Sequence, residues 1–491
     1  MRPLALNQFL GKCMPLLFCV ALAIAAPAQT LTNLVSLDGT NGANPNDGSL
    51  VQGTDGDFYG TTAYGGAYNK GTVFKITTDG TLTTLYSFCS QANCTDGANP
   101  WVGLVQGTDG SFYGTTLNGG SGIGIGSGTV FRVTPVGKLT ILHRFCGADK
   151  ECSDGASPVA GLVEGVDGNF YGTTAAGGGY YDNGTVFKIA PCGTLTTLHY
   201  FGNGTNGYLP SGLMLAATGN FYGTTYLGGA GPYGNGGTVF EITPQGKYTT
   251  TYRFCSQPNC DDGSGPLGGL IQAPNGSFYG TTYDGKGYGT IFELTNNGTL
   301  TNLYTFCTQR NCTDGSQPAA GVGRATDGNF YGTTVLGGTT RCFNNETCGT
   351  IFELTPDGTL TTLHNFCSET ACGDGAWPYA GLVQGTDGNF YGETYYGGTT
   401  NNGTIFKLST GLKPFVKTLP TFGEVGAKVI VFGNNLTGAS SVTFNGTPAT
   451  FTVESDTAIK AEVPFGAITG IVQVVTPGGT LTSNIRFQVI Q

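Results

Sequence analysis

The 491-residue chain holds only three histidines, His143, His199 and His364. A histidine can serve as general base, metal ligand or triad member, but each role needs partners gathered at one point. These three follow a leucine at one repeated position, where Tyr86, Tyr252 and Tyr304 stand in other copies. They are structural equivalents spread along the chain. No HExxH or GxSxG occurs. GIGIGSG (Gly122–Gly128) imitates a nucleotide loop, but no helical pattern follows it to present an N-terminus to phosphate. It reads as a flexible inter-strand loop. The DDG at Asp261–Gly263 offers too few oxygens for a calcium cage and reads as turn chemistry. Glu164, Glu393 and Asp284 are carboxylates available to a glycosidase-like pair, and the sequence leaves open whether two of them meet. No catalytic residue, metal or cofactor is assigned.

The cysteines carry a clearer pattern. Ten form five local pairs of one design: Cys89 with Cys94, Cys146 with Cys152, Cys255 with Cys260, Cys307 with Cys312 and Cys367 with Cys372. Two repeats lack both members together, which marks them as acting in pairs. Short-loop disulfides are the expectation, with Cys342 and Cys348 as a sixth pair in a different loop and Cys192 left over. Zinc is the weaker alternative, because it wants four ligands in one place and a whole repeat separates each pair from the next. Aromatic side chains are the other resource. Trp101 and Trp377, with Tyr64, Tyr181, Tyr226, Tyr283 and Tyr395, fall among Asn, Thr and Gly in variable loops. Such rings stack on sugars or anchor a protein partner, or simply pack the loops.

These residues hang on a repeat. FYGTT recurs with Phe at 58, 112, 170, 221, 278 and 330, and once more as FYGET at 390. Steps of this length mark a repeat architecture. Each unit reads as four strands: a GLVQG-like strand (Gly103–Gly107), FYGTT, GT[VI]F (Gly71–Phe74 in the first copy) and TLTTLYSF (Thr81–Phe88 in its best copy). Asp-Gly turns such as Thr108-Asp109-Gly110 and Pro356-Asp357-Gly358 join strands one to two and three to four. After the leader the chain starts with a fourth strand (Thr30–Leu37), and the repeats end with a third (Gly403–Ser409). A closed ring needs such a seam, whereas an open solenoid would want capping units. The predicted fold is therefore all-β: a seven-bladed β-propeller closed by the N-terminal strand, then a small immunoglobulin-like β-sandwich. In each up-and-down blade the variable loops share one face, opposite the Asp-Gly turns, and that face holds the expected disulfides and both tryptophans. The adjacent Phe and Tyr of FYG fit a strand buried on both faces, and Gly172 is expected to let neighbouring backbone approach.

Composition agrees. Charged residues are 11% of the chain, while Gly (85 residues) is more than twice its usual share. Arg2 and Lys12 precede an apolar run, Met14–Ala25, and Ala26-Pro27-Ala28 offers a cleavage site. Residues 1–28 read as a signal peptide too short for a membrane anchor, 29–410 as the propeller and 411–491 as the second domain. Secretion, or placement in the periplasm or at the cell surface, follows. The net charge of −10 argues against nucleic acid, and no second apolar span predicts a transmembrane segment after cleavage.

The (T)DGxFYGTT, GT[VI]F and TLTTLxxF elements resemble those of the GloVer repeats, a bacterial family of secreted tandem-repeat proteins, over residues 30–410. That resemblance implies a secreted or cell-envelope setting and no activity. Gly426–Gly433, SVTFNGTPATF (Ser441–Phe451), Val463-Pro464 and Thr476-Pro477-Gly478-Gly479 resemble the IPT/TIG immunoglobulin-like domains, whose bacterial extracellular members imply a spacer or adhesion module. The expected function is non-catalytic binding or adhesion, with an extracellular glycan or protein as partner on the variable-loop face. A polysaccharide-active enzyme and a structural envelope component stay open as alternatives.

Overall fold

A computed structural model describes residues 29–120, 127–147, 151–202 and 204–490. The signal-peptide segment and residues 122–126 of the GIGIGSG loop lie outside the described residues. The described residues are all-β apart from single turns of 3-10 helix, and among them no helix is long and apolar enough to cross a membrane.

Seven four-stranded antiparallel sheets occupy the repeat region. The first is Val51–Gln52, Phe58–Thr62, Thr72–Ile76 and Leu82–Ser87, paired in sequence order. The next five repeat that order. The last has Val383–Gln384, Phe390–Thr394 and Thr404–Ser409, and its outer strand is the N-terminal Thr30–Ser36, paired from Thr30↔Ser409 to Ser36↔Thr404.

The stacking of the sheets explains the motif. FYGTT is buried along its whole length in every copy but the fourth, where Tyr222 is half-buried. Successive side chains of a strand face opposite ways, so Phe meets the preceding sheet and Tyr the following one. Tyr59 stacks on Phe112, Tyr113 on Phe170 and Tyr171 on Phe221, each with ring centroids 3.9 Å apart. The series runs on through Tyr222–Phe278, Tyr279–Phe330 and Tyr331–Phe390. Tyr391 of the last sheet then stacks on Phe58 of the first at 4.0 Å. Each such pair contributes about 0.5–1.5 kcal/mol beyond its buried area.

The glycine after each Phe-Tyr has a different reason from the expected one. A Cβ on Gly172 would lie 2.6 Å from the Phe187 ring and 2.7 Å from Leu162, so the close neighbours are side chains of the same sheet and not backbone. The two threonines at the hairpin end also have work. Thr174 Oγ1 shares a hydrogen bond of 2.9 Å with Thr185 Oγ1, and the same pair recurs in every sheet, as Thr62–Thr72 and Thr394–Thr404 at the two ends. The aspartate of the TDG turn does more than turn the chain: the Tyr171 hydroxyl donates to Asp167 at 2.8 Å, with matching bonds in the first, second, sixth and seventh sheets.

Residues 414–490 form two four-stranded sheets and a parallel pair, Phe422–Glu424 with Gln488–Ile490, around a core of Val429, Val431, Val442, Phe444, Ile459, Val472, Val474 and Phe487. Lys417–Leu419, Lys428–Phe432, Ala458–Glu462 and Phe451–Val453 make one sheet. Thr447–Pro448, Ser441–Phe444, Val472–Thr476 and Gly479–Thr482 make the other.

Candidate functional site

Six sheets are approached through a loop containing Pro, at Pro45, Pro100, Pro158, Pro266, Pro318 and Pro378, and in the fourth the matching Pro210 lies inside the strand Tyr208–Leu215. The residue before each Pro lies in the left-handed region, from Asn44 (φ 52°) to Trp377 (φ 55°). Each proline sits on the glycine of the preceding sheet's GT[VI]F. A Cβ on Gly71 would lie 2.6 Å from Pro100 Cδ, and one on Gly403 would lie 2.9 Å from Pro45 Cδ. The loops are thus held in a common pose, and their tips differ only in side chain.

Those tips converge. A cavity of about 520 Å³ is lined by Asn46, Asp47, Trp101, Leu267, Ala319, Trp377 and Tyr379 from the lead-in loops. Tyr226, Tyr283, Tyr395 and Tyr396, just beyond the second strands, complete it. Its size suits a small ligand. Neighbouring rings stand steeply to one another: Trp377–Tyr396 at 69°, Tyr395–Tyr396 at 83° and Tyr379–Tyr395 at 74°. Phe343 backs Trp377 and Tyr396, and the Trp377 indole donates to the Thr347 carbonyl at 3.1 Å. A tryptophan at φ 55° is strained, by roughly 1–2 kcal/mol, and that strain is held at a cavity wall.

Asp47 supplies charge. Its carboxylate accepts from the Trp101 side chain, and its charge is felt by the Tyr283 and Tyr379 phenols. Asp47 is exposed at the cavity. Desolvation by the surrounding protein pushes its pKa up, to about 6, against the Trp101 hydrogen bond. Asp284 stands beside Tyr226 and Tyr283, and burial raises its pKa too.

Five of the seven aromatic residues singled out from sequence line this cavity: Trp101, Trp377, Tyr226, Tyr283 and Tyr395. Tyr64 is outside the lining, though near Tyr395. Tyr181 is 54% exposed and packs only on Tyr180. Asn46, Asp47 and Tyr379 were not foreseen, while Tyr396, beside Tyr395, was expected only on the same face. The signal was positional: the residue after the lead-in proline and the residue after the second strand both face inwards.

The other candidates take structural roles. His143 and His364 bond Asp154 and Asp374 at 2.8 and 2.9 Å, and His199 bonds Asn206 at 3.0 Å. Tyr86, Tyr252 and Tyr304 donate to the matching Asp96, Asp262 and Asp314. Asp262 also accepts from Ser256 and the Gln257 backbone, so the DDG acid is a loop anchor. Glu164 accepts from Thr108 at an Asp-Gly turn and does not line the cavity. Glu393 is 1% exposed, and neither carboxyl oxygen has a protein partner.

All five pairs of the repeated design are disulfides. The sixth expected pair is not: Cys342 and Cys348 are thiols. Cys342 Sγ reaches the Glu346 carbonyl across the turn Phe343–Asn345 and is hydrogen-bonded to Cys348, which is buried. Cys192 is exposed and free of any disulfide.

A second cavity, about 240 Å³, lies between inner strands of the first, second and seventh sheets and the segment Lys417–Thr421. Lys417 Nζ donates there to the Gln384 carbonyl at 2.7 Å and to Gln52 Oε1 at 3.3 Å, and burial lowers its pKa to about 8.

A family model described as the Gloeobacter/Verrucomicrobia repeat matches residues 20–153, 125–339 and 231–451, and one for the IPT/TIG domain matches 414–489. No curated protein matches the chain. Among solved structures it is similar to the extracellular domains of two putative hybrid two-component systems of B. thetaiotaomicron. One is 11% identical with TM-score 0.49, covering 92% of this chain and 51% of that one. The other is 14% identical with TM-score 0.48, covering 93% and 54%. A periplasmic gluconolactonase of Pseudomonas aeruginosa is 15% identical with TM-score 0.43, covering 71% and 96%.

Proposed function

The chain belongs to the Gloeobacter/Verrucomicrobia repeat family and ends in an IPT/TIG domain, and from that premise we propose that it is an exported, non-catalytic binding protein whose ligand is a glycan. The observation that carries this reading is the convergence of seven aromatic side chains on one cavity of about 520 Å³. Flat rings set among Asn, Asp and small residues suit the apolar faces and hydroxyls of sugars. Five short-loop disulfides support an oxidising compartment, reached through a signal peptide at residues 1–28.

In this reading residues 29–410 are a seven-bladed propeller. Three cyclic contacts support closure: Tyr391 on Phe58, Pro45 on Gly403, and the Gln52 side chain bonded to the Thr386 backbone and hydroxyl. Residues 411–491 act as a spacer, fixed to the turn side through Phe415 and Lys417.

The test is a panel of immobilised bacterial, plant and fungal polysaccharides, screened with the mature chain and with a Trp101→Ala/Trp377→Ala variant. The variant is expected to lose at least about tenfold in affinity, as for buried aromatic anchors, with its thermal melt little changed. Unchanged affinity would move the site elsewhere.

A further inference from the structure

The cavity has an uneven chemistry. Its lining holds seven aromatic rings and one carboxylate, and no Lys, Arg or His among the described residues. The other titratable groups around Asp47 are the phenols of Tyr226, Tyr283, Tyr379, Tyr395 and Tyr396, together with Asp284 beside Tyr283. Glu393, in the strand that leads to Tyr395, is buried, and that burial raises its pKa well above the usual carboxylate range. Lys286, close to Asp284 in sequence, is directed at Asp261 at 3.8 Å. Phenols are neutral at neutral pH, so the field inside the cavity is negative.

Ring faces add to that sign. An aromatic quadrupole is negative on its face, and a cation within about 6 Å of a ring centre is attracted to it. Trp377, Tyr379, Tyr395 and Tyr396 meet one another edge to face, at 69° to 83°, and do not stack. A cavity lined by aromatic rings and a carboxylate is complementary to an organic cation and repels uronic acids and phosphates. We infer that the cavity takes a ligand bearing an ammonium group, with Asp47 as its counter-ion, and that among glycans the class bound is an amino sugar whose nitrogen is not acetylated.

This inference rests on the glycan-binding reading and narrows it. It also predicts a pH dependence. Desolvation by the surrounding protein raises the pKa of Asp47 to about 6, so the counter-ion is only partly ionised in mild acid. A permanently charged ligand should bind more tightly as pH rises through that value.

The experiment is calorimetric titration of the mature full chain with three probes: a glucosamine oligomer with free amines, its fully N-acetylated counterpart, and tetramethylammonium. At about pH 6 the free-amine oligomer is expected to bind at least about tenfold more tightly than the acetylated one. Asp47→Asn should abolish that preference while keeping a residual affinity for both sugars, with an unchanged melt. Tetramethylammonium affinity should rise between about pH 5 and pH 7 in the natural chain and stay flat in Asp47→Asn. Equal binding of both oligomers, or preference for the acetylated one, would overturn the inference and leave the glycan-binding reading standing. Binding of none of the probes overturns the inference, and binding to other polysaccharides in the panel then decides the glycan reading separately.

Discussion

The two ends of the repeat sheets obey different rules. At the turn end the same small device recurs: an Asp-Gly turn whose aspartate accepts the hydroxyl of the following tyrosine, as in Asp167–Tyr171 and Asp387–Tyr391. At the loop end the backbone is as regular, with a proline on a glycine and a left-handed residue before it, yet the tips carry Asn46-Asp47, Trp101, Leu267, Ala319 or Tyr379. Regular backbone with irregular side chains is how a rigid scaffold presents a binding surface. What repeats builds the molecule, and what departs from the repeat is where recognition is to be sought.

The largest expected effect tests whether the scaffold is one cooperative unit. Deleting Thr30–Ser36 removes the outer strand of the last sheet and its ladder with Thr404–Ser409. The whole repeat region is expected to lose its single cooperative melt; a small, local loss would mean that the sheets are independent. Tyr391→Ala comes next. It strips the stack on Phe58 and should cost about 3–5 kcal/mol by chemical denaturation, as for a buried aromatic truncation. The cost should equal that of Tyr171→Ala, because both are buried identically. A much cheaper Tyr391→Ala would show the first and last sheets to be loosely joined.

Glu393 breaks the repeat inside the scaffold. It occupies the register of Thr61, Thr173, Thr281 and Thr333, whose hydroxyls donate to carbonyls of the next lead-in loop. A carboxyl there has no partner, and burial pushes its pKa well above the usual range. The folded state binds a proton at Glu393 more tightly than the unfolded chain does. Stability is therefore lost as pH rises from the unfolded value of about 4.3 towards the folded one, by up to about 1.4 kcal/mol per pH unit. Glu393→Gln should flatten that decline and gain about 1–3 kcal/mol near neutral pH. Parallel stability curves for the two chains would place a partner on Glu393.

Much of this was legible in the sequence, and the limits have physical causes. FYGTT and its partners give the strands because turn residues and β-branched runs are local signals. Which way each aromatic of FYG faces depends on how sheets stack, and nothing local to Phe170-Tyr171 states it. The cavity aromatics were half visible. Tyr181 and Tyr226 are alike in composition and neighbourhood, but Tyr226 follows FYGTT directly while Tyr181 lies seven residues on. Asp47 was invisible as a site residue because an aspartate beside Pro, Asn and Gly reads as a turn. The missing sixth disulfide has a similar origin: spacing alone does not say that Cys342 turns towards Glu346.

The smallest predicted effect is the sharpest on the contrast between the two ends. Tyr171→Phe removes only the hydroxyl that donates to Asp167. The ring and its stack on Phe221 remain. Asp167 lies in an exposed turn and keeps its bonds from Asn169, so no buried group is left unsatisfied. The loss should be that of one hydrogen bond, about 0.5–1.5 kcal/mol. Its burial pushes Asp167 up, and the bonds from Asn169 and Tyr171 outweigh that and hold it below the usual carboxylate range. A carboxylate held low contributes stability above its unfolded pKa and loses it on acidification, so the difference between Tyr171→Phe and the natural chain should vanish in strong acid. Glycan affinity should not change, because the hydroxyl lies at the turn end. A Tyr171→Phe chain of unaltered fold that bound its ligand differently would mean that the two ends are coupled, and that the constant end is part of the site.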